Sequence, residues 1–458
     1  MADHSVTMEA TLQALLTDKK YTTCRDILIT MNPADVAAVF SGLEPEQLPL
    51  LFRLLPKEQA AESFVEMESD QQELLIRGLS DSELRQVLDE LYVDDAVDIV
   101  EEMPANVVQR ILAQAAPEMR KEINEILQYP DNSAGSVMTT EYVSLSPSMT
   151  VGDAILRIRR TGVDKETIYT CYVTDNRLLI GTVSVKSLLL APSDNQTIDS
   201  VMEENIISCT TMDDQEEVAK MMSKYNLLAM PVVDSDSRMV GIVTFDDAMD
   251  VIEEETTEDI EIMAGMMPSS KTYLRSTAFD LFLHRIPWLA LLMVSATFTG
   301  MIITGFETAL AAQVALTAFI PMLMDTGGNS GSQSSVTVIR ALSLDELEFV
   351  DLPKVIWKEI QTAVLCGIAL SILCFGKIML VDKLLLANEG VTVTIALVVC
   401  ITMAVTVLVA KVVGCTLPML AKKLGFDPAV MASPFITTIV DALSLLLYFG
   451  IASSLLSL

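Results

Sequence analysis

Two carboxylates stand where carboxylates are rare. Asp325 and Asp441 each fall inside a stretch otherwise apolar enough to cross a bilayer. An ionisable group at membrane depth costs roughly 2.5–3.5 kcal/mol on insertion scales, so its presence points first to function. Asp441 sits in ASPFITTIVDALSLLLYFG, with Thr437 and Thr438 one turn earlier and Pro434 before them. A proline there is expected to free backbone carbonyls for a ligand or for water. Asp325 lies near an expected helix break, where packing or capping explains it equally well. For Asp441 the competing explanation is a carboxylate hydrogen-bonded between helices. No basic residue is expected at mid-membrane to pair with these acids, and an anion pathway would need one. Unpaired carboxylates beside threonines, carbonyls and a polar glycine turn suit a cation. Mg2+ takes oxygen ligands and sheds water reluctantly, so a roomy site with few charges fits it. Spacing alone does not choose among divalent cations.

A second set of carboxylates lies outside the apolar region. In DDAMDVIEEETTEDIEIM (246–263), Asp247, Asp250, Glu254 and Glu258 share one helix face, and Glu255 and Asp259 form the adjacent stripe. No Lys or Arg occurs between Arg238 and Lys271. A solvated face would normally mix signs, so this run reads as acidic by design, with passive solubility as the alternative. Asp94 and Asp98 form a similar i, i+4 pair. Acidic faces on subdomains that must stack make good divalent-ion bridges and poor direct contacts.

Composition explains how both sets coexist. The chain has 458 residues, 62 acidic and 30 basic, with a net charge of -32 and 51% hydrophobic residues. Residues 284–458 hold 11 of the acids and 9 of the bases, leaving 51 and 21 upstream. A polyanionic soluble half therefore precedes a nearly neutral apolar half. A polyanion repels phosphates, so nucleic acid is not expected as a partner. MADHSVTMEATLQ lacks a basic stretch followed by an apolar run, so no signal peptide is expected. Seven cysteines show no CxxC and no clustering with His4 or His284, which argues against disulfides and a Cys/His zinc site. With no nucleophile–base pair and no Walker loop, an enzyme is not expected either.

Five segments are long enough to span a bilayer, near 286–306, 311–340, 356–381, 391–414 and 429–456. The second is expected to start as an apolar helix and then break at DTGGNSGSQSSVTVIRAL, because such polar backbone at membrane depth must pack in protein or line a wet cavity. Arg285, Arg340, Lys354, Lys358, Lys411, Lys422 and Lys423 fall on one side, and Lys383 with nearby Lys377 on the other. The excess of positive charge predicts a cytoplasmic N-terminus and an external C-terminus in a multi-pass membrane protein.

The soluble half divides by pattern. Short amphipathic helices are expected over 32–43, 56–67, 69–79, 80–91 and 93–103, with Ser-Asp caps opening the third and fourth. They imply either a stacked superhelical array or a small bundle. Strands are expected at 170–175, 178–185, 229–234 and 239–245, alternating with helices near 150–160 and 214–225. SVMTTEYVSLSPSMTVGDAI from Ser136 and SVMEENIISCTTMDDQEEVA from Ser200 repeat one another, and each half ends in a glycine strand, GTVSVKS or GIVTFDD. This resembles a tandem pair of cystathionine-β-synthase (CBS) domains. In pairs that bind adenine nucleotides, the Gly-h-h-Thr/Ser-x-x-Asp strand end serves phosphate and ribose. Thr244 and Asp247 match it, whereas Ser184 is followed by Ser187 where the Asp would be. At most one nucleotide site per pair is expected, against a nucleotide-free scaffold.

PMLMDTGGNSGSQSS (321–335), ASPFITTIVDALSLLLYFGIA (432–452), VTFDDAMDVIEEETTEDI (243–260) and VDDAVDIVEEMP together resemble the MgtE family of magnesium channels and transporters. The resemblance implies a helical N domain (1–130), an α/β CBS pair (131–255), an acidic connecting or plug helix (246–283) and a five-helix transmembrane domain (284–458). It also implies a plasma-membrane homodimer in the lipid bilayer, with Mg2+ both transported and regulatory and ATP as a ligand of the CBS pair. Asp441 corresponds to the pore aspartate, and Gly327, Gly328 and Asn329 to the pore-lining turn. Ser433 and Thr437 line the pore where some relatives have Asn and Ala. Asp94, Asp98, Asp214, Asp247, Asp250, Glu255, Glu258 and Asp259 correspond to the cation-sensing cluster, and Asn226 replaces an Asp frequent in relatives. Two other readings stay open: a Mg2+ exchanger coupled to Na+ or H+, and a non-conducting membrane-anchored sensor. The polar break and Asp441 argue against the sensor, since an anchor needs neither.

Overall fold

A computed structural model describes residues 2–269, 273, 276–387, 390–431 and 433–456. The chain divides into two compact units, residues 1–253 and 254–458.

The first unit opens with ten short helices between Ala2 and Ile126. Local chemistry sets their ends. Asn32 accepts from the Ala34 N–H at 3.1 Å ahead of Pro33, the first residue of the helix Pro33–Phe40. Ser80 and Glu83 make a reciprocal capping box at the start of Asp81–Leu88. The cap expected at Ser69 is different: Glu68 occupies that position without a side-chain capping bond to the helix, and Ser69 is the first helical residue. The helices stack by next-but-one contacts, Pro33–Phe40 on Lys57–Val65, that on Asp81–Leu88, and that on Ala105–Gln114. This is the stacked array rather than the bundle. Phe40, Phe64, Leu75, Leu84 and Val97 are buried along its axis.

Two three-stranded sheets follow, β1 (Ser144–Leu145), β2 (Thr170–Asp175) and β3 (Leu178–Ser184), then β4 (Cys209–Thr210), β5 (Ala229–Val233) and β6 (Met239–Thr244). Each pairs its first two strands parallel and its last two antiparallel. The two-residue strands β1 and β4 are too short to leave an alternating pattern. Helices Val151–Thr161 and Gln215–Tyr225 lie between the strands. Asn226 ends the latter in the left-handed conformation, φ 53°, which Asn tolerates better than most side chains. The helical array shares one core with the second half of the pair, where Val218, Met222, Met230, Val232 and Val243 join it.

The helix Phe245–Met263 is continuous across the boundary between the units. In the second unit come five long helices: Ala278–Gly305, Ile320–Ser343, Leu352–Lys377, Val393–Lys423 and Ser433–Leu456. The third continues as a π-helix over Ile378–Leu385. Four segments among the described residues are long and apolar enough to cross a membrane, namely Ala278–Gly305, Phe349–Leu385, Val393–Lys423 and Pro428–Leu456. The second long helix falls short of that apolarity because of its polar run.

The expected break in that segment is corrected. Its apolar beginning is the irregular part, a short helix Glu307–Ala312 and a 3-10 turn Val314–Phe319, separated at Gln313. The glycine- and serine-rich run is unbroken helix. Helical hydrogen bonds satisfy its backbone, and the missing side chains let neighbouring helices approach. A Cβ on Gly414 would collide with the Gly331 carbonyl. The second helix packs on the fourth and fifth, the third on the fourth, and the first on the fifth. Phe319, Leu323, Val399, Met403, Tyr448 and Phe449 form the core, and the Tyr448 hydroxyl donates to the Leu316 carbonyl at 2.9 Å.

Candidate functional site

In the second unit, Asp441 is half-buried on the fifth long helix, and its Oδ1 is enclosed with no hydrogen-bond partner among the described residues. The Thr406 and Ser444 hydroxyls, in side chains about 1% exposed, are likewise unpartnered. Both abut Gly327, where a Cβ would lie 2.7 Å from Thr406 Cγ2 and 2.8 Å from Ser444 Oγ. Gly327 is therefore buried at a helix crossing, and Gly328 is buried against Thr437. Asn329 is exposed and donates to Asp325 Oδ1 at 3.1 Å. The side chain of Ser433 lies outside the described residues. Pro434 belongs to the first turn of its helix, so no mid-helix break arises, and its carbonyl accepts from the Thr438 hydroxyl at 3.0 Å.

Asp325, Asn329, Gln333, Thr337 and Arg340 are all exposed on the second long helix. Their four- and three-residue steps make one polar stripe along it. Hydrocarbon has no partners for such groups, so this face belongs against water or protein. The serines between them turn inward and tie the helix to its neighbours. Ser332 lies 3.5 Å from the Thr437 hydroxyl, Ser335 donates to the Met431 carbonyl at 2.7 Å, and Ser334 donates to Glu359 at 2.6 Å. Lys411, 5% exposed, donates to Ser334 at 3.3 Å and lies 3.9 Å from Glu359. A basic residue expected at a flank is thus buried between helices, and its partner is Glu359 rather than Asp441 or Asp325.

In the first unit, Asp94 on the helix Val93–Glu102 is 7% exposed, and its Oδ1 has no hydrogen-bond partner among the described residues. Burial, then Asp247, Asp95 and Glu166, push its carboxyl well above the ordinary range. Burial followed by Asp247 and Asp246 raises Asp95 to about 7. Burial followed by Asp95, Asp246, Asp247 and Glu141 raises Glu166 to about 8. Asp247 is pushed up to about 6 by burial, against the lowering effect of the hydrogen bond from Thr244. Asp250 is exposed on one side, and the partial loss of solvent on the other, followed by Asp246 and Glu253, raises its carboxyl. The leading charged neighbours of these groups are all acids, so negative charge is concentrated at the site. Among the described residues no three His, Cys, Asp or Glu side chains converge closely enough to hold one ion. The arrangement suits a cation that draws separate carboxylates together rather than a finished cage.

The remaining expected ligands are dispersed. Asp98 is exposed. Asp214 caps the helix Gln215–Tyr225, accepting from the Glu216 and Glu217 N–H groups at 2.9 and 3.4 Å. Glu255, Glu258 and Asp259 are half-buried on the 254–263 part of the connecting helix, within the second unit. Thr244 and Asp247, the candidate nucleotide residues, are hydrogen-bonded to each other at the start of that helix. Ser184 and Ser187 make the matching contact at 2.8 Å in the first CBS half.

Comparison with known proteins assigns each region. The divalent cation transporter model MgtE matches residues 320–451, the MgtE intracellular N domain 31–132, and the CBS domain 134–194 and 198–254. The magnesium transporter MgtE of Thermus thermophilus is 35% identical over 455 residues, 98% of each chain. The chain belongs to the MgtE family. The magnesium transporter MgtE of Bacillus subtilis is 31% identical to it, over 96% of this chain and 95% of that one. A crystal structure of the cytosolic domain of the Mg2+ channel MgtE in complex with ATP covers 53% of this chain and 99% of its own at 34% identity, with a TM-score of 0.51. The soluble part of a magnesium transporter aligns over 55% of this chain and 99% of its own, with 30% identity and a TM-score of 0.51.

In this MgtE-family chain, sequence reasoning overlooked Asp95, Glu141, Glu166 and Asp246 in the acidic cluster. Asp95 and Asp246 directly neighbour chosen residues and were readable as part of the same charge excess. Glu141 and Glu166 were not, because they stand apart from the acidic runs and only the fold brings Glu166 near Asp94 and Glu141 near Glu166. Lys411 and Glu359 lie at the ends of apolar segments, where lone charges read as flanks.

Proposed function

We propose that this chain carries Mg2+ across the plasma membrane as a multi-pass homodimer, N-terminus cytoplasmic and C-terminus external, and that cytosolic Mg2+ closes it. The observation that carries the transport reading is the polar stripe Asp325–Asn329–Gln333–Thr337–Arg340, exposed beside the unpartnered Asp441 on helices otherwise built for lipid. A second copy set against that face would enclose it, leaving a water-filled path between two sets of carboxylates. Asp441 then holds the ion through its water shell, with Asn329 and Thr437 lining the path; Ser433 is the further lining residue proposed from the resemblance. Few charges and several neutral oxygens favour passage over capture, which Mg2+ needs because it dehydrates reluctantly.

The regulatory reading rests on the acidic cluster. At low Mg2+ the carboxylates repel one another, and at high Mg2+ the ions bridge them, holding the connecting helix in the closed arrangement. The proposed ligands are Asp94, Asp98, Asp214, Asp247, Asp250, Glu255, Glu258 and Asp259, to which Asp95, Glu141, Glu166 and Asp246 are added. An ion bound only to the closed state contributes about 1.4 kcal/mol at tenfold saturation. Moving a gate from 1:99 to 99:1 takes roughly 5.5 kcal/mol. About four weak sites therefore suffice, without one tight cage. We also place an adenine nucleotide at Thr244 and Asp247, in keeping with the ATP complex of the cytosolic-domain relative. Binding it requires Asp247 to release Thr244.

Mg2+ influx into proteoliposomes tests the transport reading. The wild type should fill with Mg2+ at a rate that follows the membrane potential, and Asp441→Asn should not. Uptake insensitive to potential and matched by Na+ or H+ efflux would replace the channel with an exchanger.

A further inference from the structure

We propose that Lys411 and Glu359, bridged through Ser334, are positioning residues for the conduction path. Their role is to fix the rotation of the second long helix so that Asp325, Asn329 and Gln333 face it. This rests on the transport reading. The three residues come from three helices: Ser334 from the second, Glu359 from the third and Lys411 from the fourth. The Ser334 hydroxyl donates to Glu359 Oε2 at 2.6 Å and accepts from Lys411 Nζ at 3.3 Å, with the ammonium 3.9 Å from the carboxylate. The side chains of Lys411 and Glu359 are only 6% and 15% exposed, and Ser334 is 2% exposed. A charged pair so enclosed has little water competing for its hydrogen bonds, which makes its geometry directional.

Placement gives the pair its role. Ser334 follows Gln333 directly, and successive helical residues point about 100° apart. Holding Ser334 between Glu359 and Lys411 therefore sets the direction of Gln333, and through the four-residue steps that of Asn329 and Asp325. The buried face of the helix is bulky at its two ends, with Ile320 and Leu323 at one and Val338, Ile339 and Leu342 at the other. Between them it is small, Gly327, Gly328, Ser330, Gly331 and Ser335, so that in this middle stretch polar contacts such as those of Ser334 set the fine rotation. A buried ion pair replaced by uncharged residues of similar size often leaves stability unchanged, so what such a pair adds is orientation rather than strength.

The test uses the full chain in proteoliposomes and reads Mg2+ and Ca2+ influx per folded protein, for wild type, Ser334→Ala, and Lys411→Met combined with Glu359→Gln. Hydrogen bonds to charged groups are each worth about tenfold in an equilibrium. Mg2+ influx is expected to fall by about that factor in both variants. The Ca2+-to-Mg2+ ratio should rise severalfold, because a turned stripe discriminates less. A role in folding alone would lower the yield or the thermal midpoint and leave the ratio untouched. Wild-type influx and ratio in both variants overturn the assignment while leaving the transport reading standing. A wild type that moves no Mg2+ overturns both. If the double variant fails to fold, Ser334→Ala decides alone, since it keeps both charges in place.

Discussion

The acidic cluster of the first unit and the carboxylates of the second apply one physical device in opposite proportions. In the acidic cluster around Asp94, burial first and the neighbouring carboxylates second lift Asp95 and Glu166 to about 7 and 8. Around Asp441 the fold places one nearby acid, Asp325, among hydroxyls, glycines and an amide. Many repelling charges make an element that reorganises when cations arrive, as a sensor must. Few charges among neutral oxygens make a place where a hydrated ion is attracted without being trapped. The number of acids, and the company they keep, separates the two proposed roles.

The sharpest way to break that contrast is at Asp441. Two unit charges about 4 Å apart are worth about 4 kcal/mol at an effective dielectric near 20, so Asp441→Asn should lower Mg2+ flux on the order of 1000-fold. Flux near wild type would remove Asp441 from the path. Next in size, combining Asp94→Asn, Asp247→Asn and Glu166→Gln should raise the Mg2+ concentration that halves the flux by roughly tenfold or more, at about 1.4 kcal/mol per lost site. The maximal flux should stay unchanged. An altered maximum with the same inhibition would mean that the two regions had been assigned the wrong way round.

A pH series sharpens the sensor side. Carboxylates raised to about 6–8 in the folded chain bind more protons there than at their unfolded values near 4. Their favourable contribution is complete below pH 4 and is lost as pH rises through the folded values. In chelator, the thermal midpoint of the cytosolic transition should therefore fall between pH 5 and 8, and Mg2+ should flatten that slope. A midpoint that rises with pH would contradict the cluster. The smallest effect is expected at Asp214, which caps a helix. Asp214→Ala should cost about 1 kcal/mol of stability and shift Mg2+ inhibition less than the loss of any other proposed ligand. Inhibition that does not move at all would remove Asp214 from the sensing set.

How far the sequence carried the reading differed between the units for physical reasons. Strands β2, β3, β5 and β6 and the helices Val151–Thr161 and Gln215–Tyr225 were legible because periodicity and turn residues agreed. The short helices of the array were legible from Asn32, Ser80 and their apolar faces. The second long helix departs from the expected break because glycine and serine usually mark one, whereas here close approaches such as Gly331 to Gly414 and Gly327 to Thr406 and Ser444 explain their presence within a helix. Ser332, Ser334 and Ser335 were expected either to pack in protein or to line a wet cavity, and their contacts with neighbouring elements favour packing. Asp94 and Asp247 stood out through local charge, whereas Glu141 and Glu166 needed the fold to bring them in. Lys411 and Glu359 are 52 residues apart, and no local pattern joins them.

The central claim is that one set of carboxylates conducts and the other senses. Patch-clamp recording with Mg2+ as charge carrier tests it most directly, stepping cytosolic Mg2+ from zero to millimolar. Wild type should pass a Mg2+ current that closes as cytosolic Mg2+ rises. Asp441→Asn should pass none at any concentration, and Asp94→Asn with Asp247→Asn should stay open at concentrations that close the wild type. Current through Asp441→Asn, or unchanged closure in the double variant, would contradict the account.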